Sequence, residues 1–138
     1  MAEDAAPARD QALRWLRWAN EDLAAARHSA ADSEIASRVA CGLAQQAAEK
    51  AIKALLVASD VDPPKAHNLV RLARMLTVVV ANRLLDLELE DLTRWAIEGR
   101  YPGDLDEATD QDAARTIAVA SEVTALAHAA LGEGGNGR

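Results

Sequence analysis

Five polar side chains, Gln45, Gln46, Glu49, Lys50 and Lys53, gather within nine residues of an otherwise apolar stretch. Spacings of three and four put them together on the surface of a helix. An Ala-rich helix does not need them for stability, because a Glu–Lys pair at such spacing contributes only about 0.2–0.5 kcal/mol. Two readings stay open. Gln45, Gln46 and Glu49 can join two helices or two subunits through paired hydrogen bonds, or the cluster, with Lys50 and Lys53, can contact a nucleotide or a partner. Further along, His67 follows Pro63-Pro64, and Arg100 precedes Tyr101-Pro102. His67, Arg100 and Lys53 brought round one cleft would suit a phosphate better than any other constellation in so acidic a chain. Tyr101 and Lys50 join these three as candidate ligand-binding residues. As structural residues, His67 can cap a helix, Arg100 can meet the dipole of a helix C-terminus, and Tyr101, biased toward extended geometry by Pro102, can pack its ring over the loop.

Other chemistries are missing from the pattern. A two-metal site in a helical bundle wants Glu-x-x-His pairs on facing helices. His28, His67 and His128 each lack a Glu three residues earlier. Zinc needs more Cys and His than are present. The tail Gly132-Glu133-Gly134-Gly135-Asn136-Gly137 spells a phosphate-loop pattern, but no helix follows to supply an N-terminus. Cys41 is the sole cysteine, so no intrachain disulfide can form, and it reads as a small hydrophobe on a helix.

The elements that must position these residues are helical. From Ser33 to Ala58, Ile35, Val39, Leu43, Ala47, Ala51 and Leu55 recur every four residues. A second row of Ala36, Ala40, Ala44, Ala48, Ile52 and Leu56 lies beside them. A preceding helix is predicted over about 9–29, with Ala12, Trp15, Ala19, Leu23, Ala26 and Ala30 inward. Asp32 or Ser33 separates the two and caps the second. Asp60 to Pro64 is a firm stop, since two prolines cannot continue a helix. A third helix is predicted over about 67–81, with Leu69, Leu72, Ala73, Leu76 and Val80 inward; Thr77-Val78-Val79-Val80 makes its end strand-like. A fourth follows over 84–99, with Leu85, Leu89, Leu92 and Ala96 on one stripe. Thr109 with Asp112 reads as a capping box opening a last helix that carries Ile117, Ala120, Thr124, Ala127 and Leu131. Trp15, Trp18 and Trp95 read as the large pieces of the core, with only one of Trp15 and Trp18 fully inward. The expected fold is an all-α, antiparallel up-and-down bundle of four main helices with a shorter additional one. Residues 1–8 are expected to be a flexible start, 9–131 the bundle and 132–138 a disordered tail.

Gln45-Gln46-Ala47-Ala48-Glu49-Lys50-Ala51-Ile52-Lys53-Ala54-Leu55-Leu56, then Lys65-Ala66-His67-Asn68-Leu69, then Arg100-Tyr101-Pro102, in that order, resembles the HEPN family, the higher eukaryotes and prokaryotes nucleotide-binding domain. The segment from Trp15 to Ala24 looks like that family's first helix, and the resemblance spans about 10–130. It implies a nucleotide-binding or interaction protein beside a small nucleotidyltransferase, sometimes as one half of a toxin–antitoxin pair. Ribonucleases of the family carry Arg, four to six residues, then His, where Arg steadies the phosphate and His moves the proton of the attacking 2′-hydroxyl. Counting back five to seven positions gives Leu23, Asp22 and Glu21 for His28, and Asp62, Val61 and Asp60 for His67. For His128 it gives Val123, Glu122 and Ser121. No arginine falls in any window, which disfavours catalysis and leaves a degenerate ribonuclease built on His67 and Arg100 as the alternative.

The bulk properties agree with a single small domain. At 138 residues and 3% aromatic content, without Phe, the core must be built from Ala, Leu, Val and Ile. The net charge of -7 argues against a general nucleic-acid coat. Residues 84–112 hold ten Asp or Glu against Arg94 and Arg100, an acidic surface or a docking face for a basic partner. No run approaches the roughly 18 apolar residues of a membrane span, and the acidic N-terminus is unlike a signal peptide, so a cytoplasmic protein is expected. No cofactor or metal is expected. Two adjacent apolar rows on the second and last helices exceed what one seam needs, predicting a homodimer through helix faces.

Overall fold

The computed structural model describes residues 2–96 and 107–132, with side chains from Pro7 onward. Three long helices dominate: α1 (Ala2–Ala31), α2 (Ser37–Ala58) and α6 (Asp110–Ala130). Between α2 and α6 lie three short ones, α3 (Leu69–Ala73), α4 (Val78–Leu85) and α5 (Leu89–Thr93). No strand occurs among the described residues. The all-α bundle read from the sequence is therefore present, with its third wall broken into short pieces.

α2 is the central helix. Every residue from Ala51 to Val57 is buried, as are Ala40, Cys41, Ala44, Gln45, Ala47 and Ala48. α1 meets it with Ala12, Leu16, Ala19, Leu23 and Ala26, spaced alternately four and three, all 5% exposed or less. That spacing is an antiparallel coiled-coil seam, and its alanines let the two axes approach closely. The inward face thus turns on Leu16 rather than Trp15, while Ala30 is exposed. α6 runs back along α1. Arg9 Nη1 donates to the Leu131 carbonyl at 2.8 Å and Arg27 Nη2 to Ser121 Oγ at 3.1 Å. Ser37 Oγ donates to Asp110 Oδ1 at 2.7 Å, so α2 and α6 start side by side. Because α2 is wrapped on both sides, both of its apolar rows are buried from Ala44 onward, while Val39 and Leu43 are half-buried and Ile35 and Ala36, ahead of the helix, are exposed.

Several boundaries differ from the expected ones. The stretch expected to be a flexible start is helical from Ala2, running through Pro7. α2 opens at Ser37 rather than after Asp32 or Ser33. Asp32 Oδ1 instead accepts the Glu34 N–H at 2.9 Å, an Asx turn that competes with capping. α2 ends where the double proline demands: Ser59 closes it and Asp60 takes a left-handed φ of 61°. The helix expected over 67–81 stops at Ala73, and Thr77 becomes the extended N-cap of α4. The helix expected over 84–99 is interrupted at Asp86–Glu88, which rephases it: Leu84, Leu89, Leu92 and Trp95 are buried, and Leu85 is half-buried. α6 has the expected capping box. Thr109 Oγ1 accepts from the Asp112 N–H at 3.0 Å and Asp112 Oδ2 from the Thr109 N–H at 2.9 Å. It closes at Gly132, whose φ of 79° suits a residue without a Cβ.

Candidate functional site

The polar cluster on α2 folds into a hub around Glu49. Gln45 Nε2 donates to Glu49 Oε1 at 3.1 Å and reaches the His67 carbonyl at 3.3 Å. His67 Nδ1 lies 2.9 Å from the same Oε1, and Lys53 Nζ donates to Oε2 at 2.9 Å. Burial pushes the Glu49 carboxyl up, but hydrogen bonds from Lys53, His67 and Gln45, with the Lys53 charge, outweigh it and hold the group below its ordinary range. A carboxylate only accepts, so Nδ1 of His67 carries a proton in this contact. One acid therefore ties α2 to the segment leading into α3.

The hub extends onto α1. Lys53 Nζ sits 5.7 Å from the centre of the Trp15 ring, within cation–π range. Trp15 in turn meets Trp18 edge-on, with ring centroids 5.9 Å apart. Lys50 pairs with Asp22, one helix turn further along α1. A continuous line of contacts thus runs from Trp18, 44% exposed, through Trp15, Lys53 and Glu49 to His67, whose side chain is also 44% exposed.

The structure brings together Gln45, Glu49, Lys53 and His67, and places Lys50 beside them on Asp22. Gln46 is half-buried and stands outside the hub. Arg100 and Tyr101 lie outside the described residues. His67 does not cap the third helix; Asn68 does, its side chain accepting the Arg71 N–H at 3.0 Å. Sequence reasoning misses Asp22, Trp15 and Trp18 as members of this surface. The signal lies in the pairing direction, since antiparallel neighbours match residues further back on α1 with residues further on along α2.

A second, smaller cluster joins Ala40 and Cys41 to Trp95 and Ala113, with the Arg94 guanidinium 5.3 Å from the Trp95 ring centre. Burial raises the Cys41 thiol, only partly opposed by a hydrogen bond with Thr116, which marks it as an inert core thiol. Among the described residues no group of three or more His, Cys, Asp or Glu is placed to hold a metal ion. Nor is any described helix long and apolar enough to cross a membrane.

The family model described as the HEPN domain matches residues 12–129. The crystal structure of TT1696 from Thermus thermophilus is similar with a TM-score of 0.73 and 27% identity, over 86% of this chain and 96% of that one. The crystal structure of ST0689, an archaeal HEPN homologue, is similar with a TM-score of 0.70 and 27% identity, over 87% and 97% of the two chains. No curated protein matches.

Proposed function

This chain belongs to the HEPN domain family, and from that premise we propose that it is a non-catalytic interaction protein working with a small nucleotidyltransferase, in a regulatory or toxin–antitoxin-like pair. One observation carries the reading: the hub's two ammonium groups are already neutralised within the fold. Lys53 is held by Glu49 and Lys50 by Asp22. A phosphate arriving here would compete with two carboxylates for those cations, and the carboxylates would repel it. The same arrangement suits a protein partner, because a rigid polar hub flanked by the exposed Trp18 offers an aromatic anchor beside fixed hydrogen-bonding groups. The missing Arg/His spacing points the same way.

Co-expression with a small nucleotidyltransferase from the same genome tests this. The pair is expected to co-purify as a complex of fixed stoichiometry that Trp18→Asp weakens. Failure to co-purify at micromolar concentrations would overturn the reading.

A degenerate ribonuclease using His67 and Arg100 is the second reading, and a specific contact favours it: Glu49 orients the His67 imidazole through Nδ1, as a carboxylate orients a general base. Incubation with single-stranded RNA and transfer RNA separates the two. Cleavage lost in His67→Ala would establish the enzyme, whereas intact RNA supports the interaction protein. In the third, a nucleotide-binding regulator, Lys50 or Lys53 must leave its carboxylate. Calorimetric titration with ATP and GTP is expected to give no heat of binding.

A further inference from the structure

We propose that the groove between α3 and the α4–α5 turn is a docking site for a basic amphipathic helix of another protein. The groove has a volume of about 380 Å³ and is open to solvent. Val70, Leu85 and Leu87, all half-buried, supply its apolar surface. Glu88, Glu90 and Asp91 line it as well, and Arg74 is the single cation among the lining residues. No ion pair joins these four charges to one another or to any other described residue. Exposed carboxylates without partners are ordinary in isolation. Here they share one groove with half-buried Val70, Leu85 and Leu87, a lining of mixed polar and apolar surface, so the complementary ligand is apolar on one stripe and positive on its rim.

The trough exists because the third wall of the bundle is broken. A continuous helix would present one smooth face; the interruption at Asp86–Glu88 sets Leu85 and Leu87 beside Val70 of α3 with no described residue laid across them. A small ligand is normally enclosed over most of its surface, which an open trough does not provide. An amphipathic helix can set apolar side chains against Val70, Leu85 and Leu87 while its polar rim meets the carboxylates. Three carboxylates against one arginine select lysine or arginine on that helix's rim, and they repel nucleic-acid and lipid phosphates. The chain's net charge of -7 would also speed the approach of a basic partner. The groove shares no residue with the Glu49 hub, so this inference stands apart from the reading of that hub.

The probe is a fluorescein-labelled 18-residue helix of leucine and lysine, with leucines at i, i+3, i+4 and i+7, read by anisotropy against the full chain. A counterpart carries glutamate for every lysine. The lysine peptide is expected to bind saturably and the glutamate peptide not at all. The triple variant Glu88→Lys, Glu90→Lys, Asp91→Lys should weaken the lysine peptide at least tenfold and admit the glutamate peptide. The triple variant Glu21→Lys, Glu34→Lys, Glu122→Lys makes the same charge change elsewhere and should stay within twofold of wild type. Leu87→Asp, with an unchanged circular dichroism spectrum, should abolish binding. Equal losses in the two triple variants would reduce the effect to bulk charge and overturn the site. So would a wild-type dimer in light scattering that only the groove variants dissociate, since the occupant would then be a second copy of this chain.

Discussion

Replacing Glu49 by leucine removes the one acid that holds three donors. The side chains of Lys53 and Glu49 are 9% and 12% exposed, so the ammonium left behind cannot simply return to bulk water. Removing one partner of such a buried pair costs about 3–5 kcal/mol, because the remaining charge is stranded. Lys53→Met is milder, since Glu49 keeps its bonds from His67 and Gln45 and loses one charged hydrogen bond, about 1.5–3 kcal/mol. The double variant strands no ammonium, and an apolar pair in place of a buried ion pair is often neutral. Its destabilisation should therefore be smaller than that of Glu49→Leu and well below the sum of the singles. Urea unfolding followed by circular dichroism measures all four corners of the cycle. With an m-value of about 2 kcal/mol/M, Glu49→Leu should lower the midpoint by about 1.5–2.5 M. A loss under about 1 kcal/mol for Glu49→Leu, or strict additivity in the double variant, would refute the hub as a coupled buried unit.

Acid should act through the same carboxyl. The folded state holds Glu49 below its ordinary value of 4.5, so its contribution is present above that value and is lost as pH falls through the folded one. Stability measured between pH 6 and pH 3 should fall less steeply in Glu49→Gln than in wild type. Cys41, 0% exposed and with its thiol raised by burial, should resist a thiol-reactive dye such as Ellman's reagent in the native protein and react at once in concentrated guanidinium. Trp18→Ala should shift the urea midpoint little, because the ring is 44% exposed, while blue-shifted tryptophan emission from Trp15 and Trp95 persists.

What is legible in the sequence follows from how local each signal is. The capping box at Thr109 and Asp112 involves neighbours three apart and is readable as it stands. The double proline and the twin apolar rows define the C-terminal end of α2 and its burial for the same reason. The breaks at Met75–Thr77 and Asp86–Glu88 are not readable, because helical periodicity continues across them: Leu69, Leu72, Ala73 and Leu76 are all buried although the helix has ended. Packing against α2 keeps the stripe inward while the backbone turns. The cluster Gln45, Glu49, Lys53 is visible as a patch of polar residues on an apolar helix. Its closure by His67 depends on the chain folding back across the 18 positions that separate His67 from Glu49. Its extension to Trp15, Trp18 and Asp22 depends on the pairing register of α1, which no local pattern states. Residues 97–106, which include Arg100 and Tyr101, lie outside the described structure, so the proposed cleft of His67 and Arg100 rests on the sequence.

The most direct test of the central claim is one calorimetric titration of this chain with a purified small nucleotidyltransferase from the same genome, with ATP titrated in parallel and transfer RNA incubated alongside. The account predicts saturable, stoichiometric binding of the protein, weakened by Trp18→Asp, with no binding of ATP and no cleavage of the RNA. Silence with the protein, together with RNA cleavage that disappears in His67→Ala, would contradict it and make the chain an enzyme.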